Sequence, residues 1–149
     1  MTRLLFVDTS AWFAFVNRAD PEHKAIRRLL ESFPGRLVTS NFVFDETVTL
    51  CLYRLGREAA VSVGNTLLAP RVVDLVRTTR DDERKAWRLF CGREDKRYSF
   101  TDCTSFVLMR RLEIGTAAAT DEDFRRESFE VLPSPPLPAE PFRGSGPSL

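Results

Sequence analysis

Histidine is nearly absent from this chain: His23 is the only one in 149 residues. Cysteine occurs three times, at Cys51, Cys91 and Cys103, without CxxC spacing. That inventory suits a reducing cytoplasm better than a disulfide framework or a zinc site. Serine–histidine hydrolysis lacks its marker, because there is no G-x-S-x-G elbow, and His23 reads as a surface or capping residue. The glycine loops that cradle nucleotide phosphates, G-x-G-x-x-G and G-K-[ST], are missing too. No apolar run approaches the roughly 20 residues of a membrane helix. Arg3 before a short apolar run that ends in an acid does not read as a signal peptide. Charge of one sign is also lacking, with 22 Lys and Arg against 21 Asp and Glu. A net charge of +1 does not by itself announce nucleic acid.

What the chain does have is acid in apolar places. Asp8 closes the run Leu4-Leu5-Phe6-Val7, and Glu46 interrupts the apolar stretch from Phe42 to Leu55. Asp102 follows Tyr98-Ser99-Phe100-Thr101 and precedes an apolar helical pattern. Asp121 ends the small-residue run Thr116-Ala117-Ala118-Ala119-Thr120. Burying an ionised carboxylate without a partner costs several kcal/mol or more, so each acid needs a cation nearby. If the fold gathers them, a hard divalent metal with oxygen ligands is the natural partner. Neutralising four of the 21 acids would leave 17 against 22 cations. That modest basic excess around a metal-loaded pocket would suit a phosphodiester substrate.

A length of 149 residues favours one domain, and 43% hydrophobic with 29% charged residues is ordinary for a globular protein. Short strands are expected at residues 4–8, 36–40, 72–76, 116–120 and 129–132. Between them lie helices: 10–16, a second opened by Asp20-Pro21 and running to 32, 42–55 ended by Gly56, and 57–69. Asp81 or Asp82 caps an amphipathic helix carrying Ala86, Trp87, Phe90 and Cys91, and Thr101 or Asp102 starts another to about 112. The alternation implies a parallel sheet with helices on both faces. Residues 1–132 form the domain. Residues 133–149 hold six of the nine prolines and read as a disordered or polyproline-like tail.

Ligands of such sheets bind at the carboxyl ends of the strands. Asp8 and Asp121 end strands, Asp102 begins a helix on the same edge, and Glu46 lies one to two turns into its helix. Three acids thus converge without adjustment, and the fourth nearly so. Each has a structural alternative. Asp8 could cap the next helix, although Ser10 could do so instead; Thr101 could stand in for Asp102 as a cap. Glu46 competes with Asp45, and periodicity does not choose between them. Asp121 is followed by Glu122 and Asp123, and such a triplet is often a solvated helix start, with Asp123 the reserve candidate. Arg80, Arg84, Lys85, Arg88, Arg93, Lys96 and Arg97 are interleaved with acids, so a solvated face is the default there and RNA contact the minority reading.

Asp8-Thr9-Ser10 after an apolar strand, Glu46 in an apolar helix, Ser99-Phe100-Thr101-Asp102-Cys103, and Thr120-Asp121 with Phe124 together resemble the PIN-domain nucleases. The likeness is greatest to the small VapC-type toxins of bacterial toxin–antitoxin pairs, and Asp20-Pro21-Glu22-His23-Lys24-Ala25 looks like their second-helix start. It spans about residues 4–132. The resemblance implies a three-layer α/β/α domain and a metal-dependent endoribonuclease. It favours Glu46 over Asp45. Asp8, Glu46, Asp102 and Asp121 would hold one or two Mg²⁺ or Mn²⁺ ions, with Ser10 and Thr101 supporting. It also implies an RNA substrate, a homodimer and a small antitoxin that covers the groove. Two rivals stand beside it: a PIN-like module that binds RNA or a partner without cleaving, and a haloacid-dehalogenase-like phosphatase. The second needs an acid where this chain has Ser10.

Overall fold

The computed structural model of the chain describes residues 2–135, so most of the expected proline-rich tail lies outside the described residues. Five strands, β1 (Leu4–Val7), β2 (Arg36–Ser40), β3 (Val73–Val76), β4 (Thr116–Ala118) and β5 (Glu130–Leu132), form one sheet in the order β3-β2-β1-β4-β5. Every neighbouring pair is parallel, with Phe6 beside Val38 on one side and Ala117 on the other. Leu5, Phe6 and Val7 are all fully buried. Successive strand residues point to opposite faces, so β1 is covered on both, which explains why it reads as a continuous apolar run.

The helices are α1 (Thr9–Val16), α2 (His23–Ser32), α3 (Asn41–Leu55), α4 (Arg57–Leu67), α5 (Arg80–Gly92), α6 (Phe100–Arg111) and the single turn α7 (Asp123–Arg126). α3 and α4 form a hairpin around Gly56, whose φ of 99° is a conformation a side chain resists. The core joins β1 to α6 and α7: Phe106 meets Phe124 edge-on at 4.9 Å and Tyr98 at 5.0 Å. Truncating Phe106 to Ala would cost about 3–5 kcal/mol, as for other buried aromatics.

Several local expectations need correction. Asp20-Pro21 does not open α2. Asp20 instead accepts the Glu22 N–H in a side-chain turn, and the helix begins at His23, whose Nδ1 lies 2.8 Å from the Ala14 carbonyl. α5 is capped by Thr79, not by Asp81 or Asp82; Asp82 is the third helical residue and returns the bond to the Thr79 N–H. α6 is likewise capped by Ser99, not by Thr101 or Asp102. In both cases a hydroxyl three residues ahead of an acid satisfies two free N–H groups reciprocally, which a cap at the acid itself would not.

Two buried acids clamp α5, α6 and α7 together. Asp82 accepts Nε and Nη2 of Arg111 at 2.8 and 2.9 Å. Glu127, just past α7, accepts Arg93 at 2.8 and 3.3 Å and Arg110 at 2.8 Å. Burial pushes the Asp82 carboxyl up, yet the Arg111 bonds and the Thr79 cap bring it below its usual value of 3.8. The Arg93 bond overcomes burial at Glu127 and, with Arg110, takes its carboxyl from 4.5 down to about 2.

Candidate active site

The carboxyl edge of the sheet is built around Asp8. It immediately follows β1, and its backbone N–H donates to the Ala118 carbonyl of β4 at 3.0 Å. Asp8, and not Ser10, caps α1: its Oδ2 accepts the Ser10 N–H at 3.1 Å and the Ser10 hydroxyl at 2.7 Å. Both contacts use Oδ2. Oδ1 is fully buried and, among the described residues, has no hydrogen-bond partner. The Ser10 Oγ also accepts the Thr120 N–H at 3.1 Å, so it ties the start of α1 to the segment that leads into Asp121.

The other acids come from flanking elements. Ser40 ends β2 and caps α3, so the residues after it turn at once into helix, and Glu46 follows half-buried, whereas Asp45 is exposed. Phe42 at the start of α3 and Phe100 at the start of α6 meet edge-on at 5.6 Å, which sets the two helix entries side by side. Asp102 is half-buried and accepts the Ser99 N–H through Oδ2 at 2.9 Å. The box Ser99-x-x-Asp102 was readable as a serine followed three residues later by an acid. Asp121 lies in the loop after β4, its Oδ1 accepting the Asp123 N–H at 3.2 Å. Asp123 instead starts α7 and pairs with Arg126 at 2.9 Å. Thr101 plays no capping part; its carbonyl accepts the Thr104 hydroxyl.

Electrostatically these acids face one another. Burial first, and then the charge of Asp102, raises the Asp8 carboxyl from 3.8 to about 7, with Asp121 adding to the rise and Ser10 opposing it. Asp102 is raised from 3.8 to about 6, chiefly by burial, with the charges of Asp121, Glu46 and Asp123 contributing against the Ser99 bond. Asp121 is exposed as a residue, yet partial desolvation lifts its carboxyl above the usual value. Mutual repulsion of this kind reports proximity, since charges beyond the screening length would not be felt. Among the described residues no three acids stand close enough to grip a single ion as the side chains now lie. A cavity of about 240 Å³ beside Thr120 and Asp121 is lined by neither Asp8, Glu46 nor Asp102, and a larger one of about 660 Å³ lies between α5 and α6.

Comparisons with known proteins bear on the fold and the family. Residues 5–130 match the PIN domain family model. The chain is 41% identical over 131 residues to the 23S rRNA-specific endonuclease VapC20 of Mycobacterium tuberculosis, covering 87% of this chain and 99% of that one. Ribonuclease VapC26 of the same organism is 28% identical over 128 residues, covering 86% of this chain and 91% of that one. The crystal structure of M. tuberculosis VapC20, described as a sarcin–ricin loop cleaving toxin, superposes with a TM-score of 0.80 at 40% identity. It covers 84% of this chain and 95% of that chain. Strand order, gathered acids and matched length point the same way: this chain belongs to the PIN-domain family, on its VapC branch.

Proposed function

We propose that this chain is a divalent-metal-dependent endoribonuclease of the cytoplasm and the toxin of a toxin–antitoxin pair. One observation carries the metal: Asp8 Oδ1 is a fully buried carboxylate oxygen without a donor, in a cluster of acids that repel one another. The buried acids Asp82 and Glu127 take arginine, whereas among the described residues Asp8 and Asp102 have no such pair. Every donor available is a hard oxygen, which fits Mg²⁺ or Mn²⁺ and not a thiophilic ion.

Asp8 and Asp102 would hold the ion, with Glu46 and Asp121 completing the set. Asp121 is favoured over Asp123 because Asp123 is already engaged by Arg126. When bound, the ion supplies Lewis-acid chemistry, lowering the pKa of water and offsetting charge that develops on the phosphate oxygens. The protein residues do the positioning. Ser10 fixes the Asp8 carboxylate through Oδ2 and leaves Oδ1 facing away from the cap. The Ser99 cap does the same for Asp102, and Ser10 Oγ holds the backbone at Thr120 next to Asp121. No side-chain nucleophile is required, which suits a chain whose single histidine is spent on the Ala14 carbonyl.

RNA as the substrate is supported by the two M. tuberculosis relatives, one named for cleavage of 23S rRNA and the other as a ribonuclease. Pairing with a small antitoxin and homodimerisation follow from the family likeness. The purified protein should cleave RNA with Mg²⁺ or Mn²⁺ and stop in EDTA; cleavage that survives full chelation would remove the metal. Expressed alone in a bacterium it should arrest growth, and Asp8→Asn should lift the arrest. Arrest that persists in Asp8→Asn would favour a binding module over a nuclease.

A further inference from the structure

The cavity between α5 and α6 is lined on its rim by Lys85, Arg88, Arg93, Arg110 and Arg111, over a floor of Leu89 and Val107. Nothing in the cleavage chemistry uses it. Three of these arginines are held by the buried acids already described: Arg111 by Asp82, and Arg93 and Arg110 by Glu127. Each keeps 40–46% of its side chain in solvent despite that pairing. A guanidinium has five N–H donors in a rigid fork, so one edge can be fixed by a carboxylate while the other stays free for an anion. Among the described residues Lys85 pairs only with exposed Asp81, at 3.1 Å, an interaction of little energy in water. Arg88 is exposed and has no ion pair among the described residues.

A need to neutralise Asp82 and Glu127 explains Arg93, Arg110 and Arg111. It does not explain Lys85 and Arg88 on the same rim. The array is pre-organised, which lowers the entropy lost on gripping an extended anion. Arg110 lies eight residues beyond Asp102 on α6, which is roughly 12 Å along the helix. We propose that this groove binds backbone phosphates of a folded RNA substrate at a distance from the bond being cut. The proposal rests on the nuclease reading and adds a second contact region to it. Folded RNA is recognised largely by shape and phosphate, so such a contact fits its chemistry.

The test compares wild type with Lys85→Ala/Arg88→Ala, two exposed cations outside the buried pairs. Binding of a synthetic RNA stem–loop is measured in an Asp8→Asn background over a range of salt. The double variant should bind about tenfold more weakly or worse, and its log–log salt slope should fall by about two. In the cleaving protein the same change should raise KM for the stem–loop and leave kcat in place. Lys85→Glu/Arg88→Glu should exaggerate the effect, and Arg88→Ala alone should give part of it if the double variant melts early. Equal affinity and slope would overturn the groove. So would a melting shift with a nucleoside triphosphate that the variant loses while RNA binding holds, which would mark a free-phosphate site. Loss of a co-purifying acidic protein with RNA binding intact would overturn it as well. Failure of wild type to cleave any RNA would sink the nuclease reading, whereas normal cleavage with an unchanged slope would sink this proposal alone.

Discussion

Asp82 and Glu127 on one flank, and buried Asp8 with half-buried Asp102 at the carboxyl edge, are the same functional group treated in opposite ways. On the flank, arginine forks meet both oxygens of each acid and hold the carboxyls below their ordinary range. At the edge, among the described residues, only hydroxyl and amide donors reach the acids, one oxygen of Asp8 has no donor, and both carboxyls rise to about 6 or 7. The flank acids hold helices together. The edge acids cost stability, and that cost is the mark of a site kept open for something absent from the chain itself.

The largest effect expected from breaking this comparison is at Asp8. Asp8→Asn should lower metal-dependent cleavage by orders of magnitude, while the metal-free melting temperature stays level or rises as repulsion is relieved. A clear fall in melting temperature together with normal cleavage would make Asp8 a structural acid like Asp82. Glu127→Gln should do the reverse to stability, costing about 2 kcal/mol through lost charge-assisted bonds. Denaturant titration measures it, and an unchanged midpoint would show that the clamp is idle.

The two regions should also respond oppositely to pH. For the edge acids the folded carboxyls are raised above the unfolded value near 3.8. Their contribution is therefore fully present below about pH 4 and is lost as pH climbs through about 7. For Glu127 the folded value is lowered to about 2 from 4.5, so its stabilisation is present above pH 4.5 and is lost as pH falls towards 2. Melting curves of metal-free protein should thus show stability declining from pH 5 to 8, and Asp8→Asn should flatten that decline. A slope identical in the variant would mean that Asp8 is not the group responsible.

Smaller still, Ser10→Ala removes one bond to Asp8 and another to the Thr120 N–H. Cleavage should drop about tenfold with a stability cost near 1 kcal/mol, as for one lost bond and a loosened carboxylate. The least effect is expected from truncation after residue 135, since a proline-rich tail has little apolar surface to bury. Melting and cleavage should both survive it, and a large loss of either would show that the tail packs.

The sequence spoke most clearly where one residue decides the matter. An acid ending the apolar run 4–7 marked the carboxyl end of a strand, because a run of four apolar residues is too short for a helix and fits a strand covered on both faces. The sheet and the gathering of acids followed from that alternation. Caps were less legible, because Ser99, Thr101 and Asp102 offer competing oxygens within four residues, and the spacing of Ser99 to Asp102 is the one signal that separates them. Asp82–Arg111 spans 29 positions in a stretch crowded with both charges, so no spacing rule could have paired them. α7 is one turn long, shorter than any periodic pattern can reveal.

That last element has a consequence for how variants should be interpreted. A single isolated turn does not hold its own shape in water. α7 is pinned from outside, by Phe124 in the core and by Glu127 in the grip of Arg93 and Arg110. The loop bearing Asp121 enters that turn directly. A substitution at Arg93 or Arg110 would therefore reset a carboxylate it never meets. Scanning mutagenesis at either arginine would register a slackened anchor several residues downstream of the acid together with a lost groove cation, whereas Lys85 and Arg88 report on the groove alone.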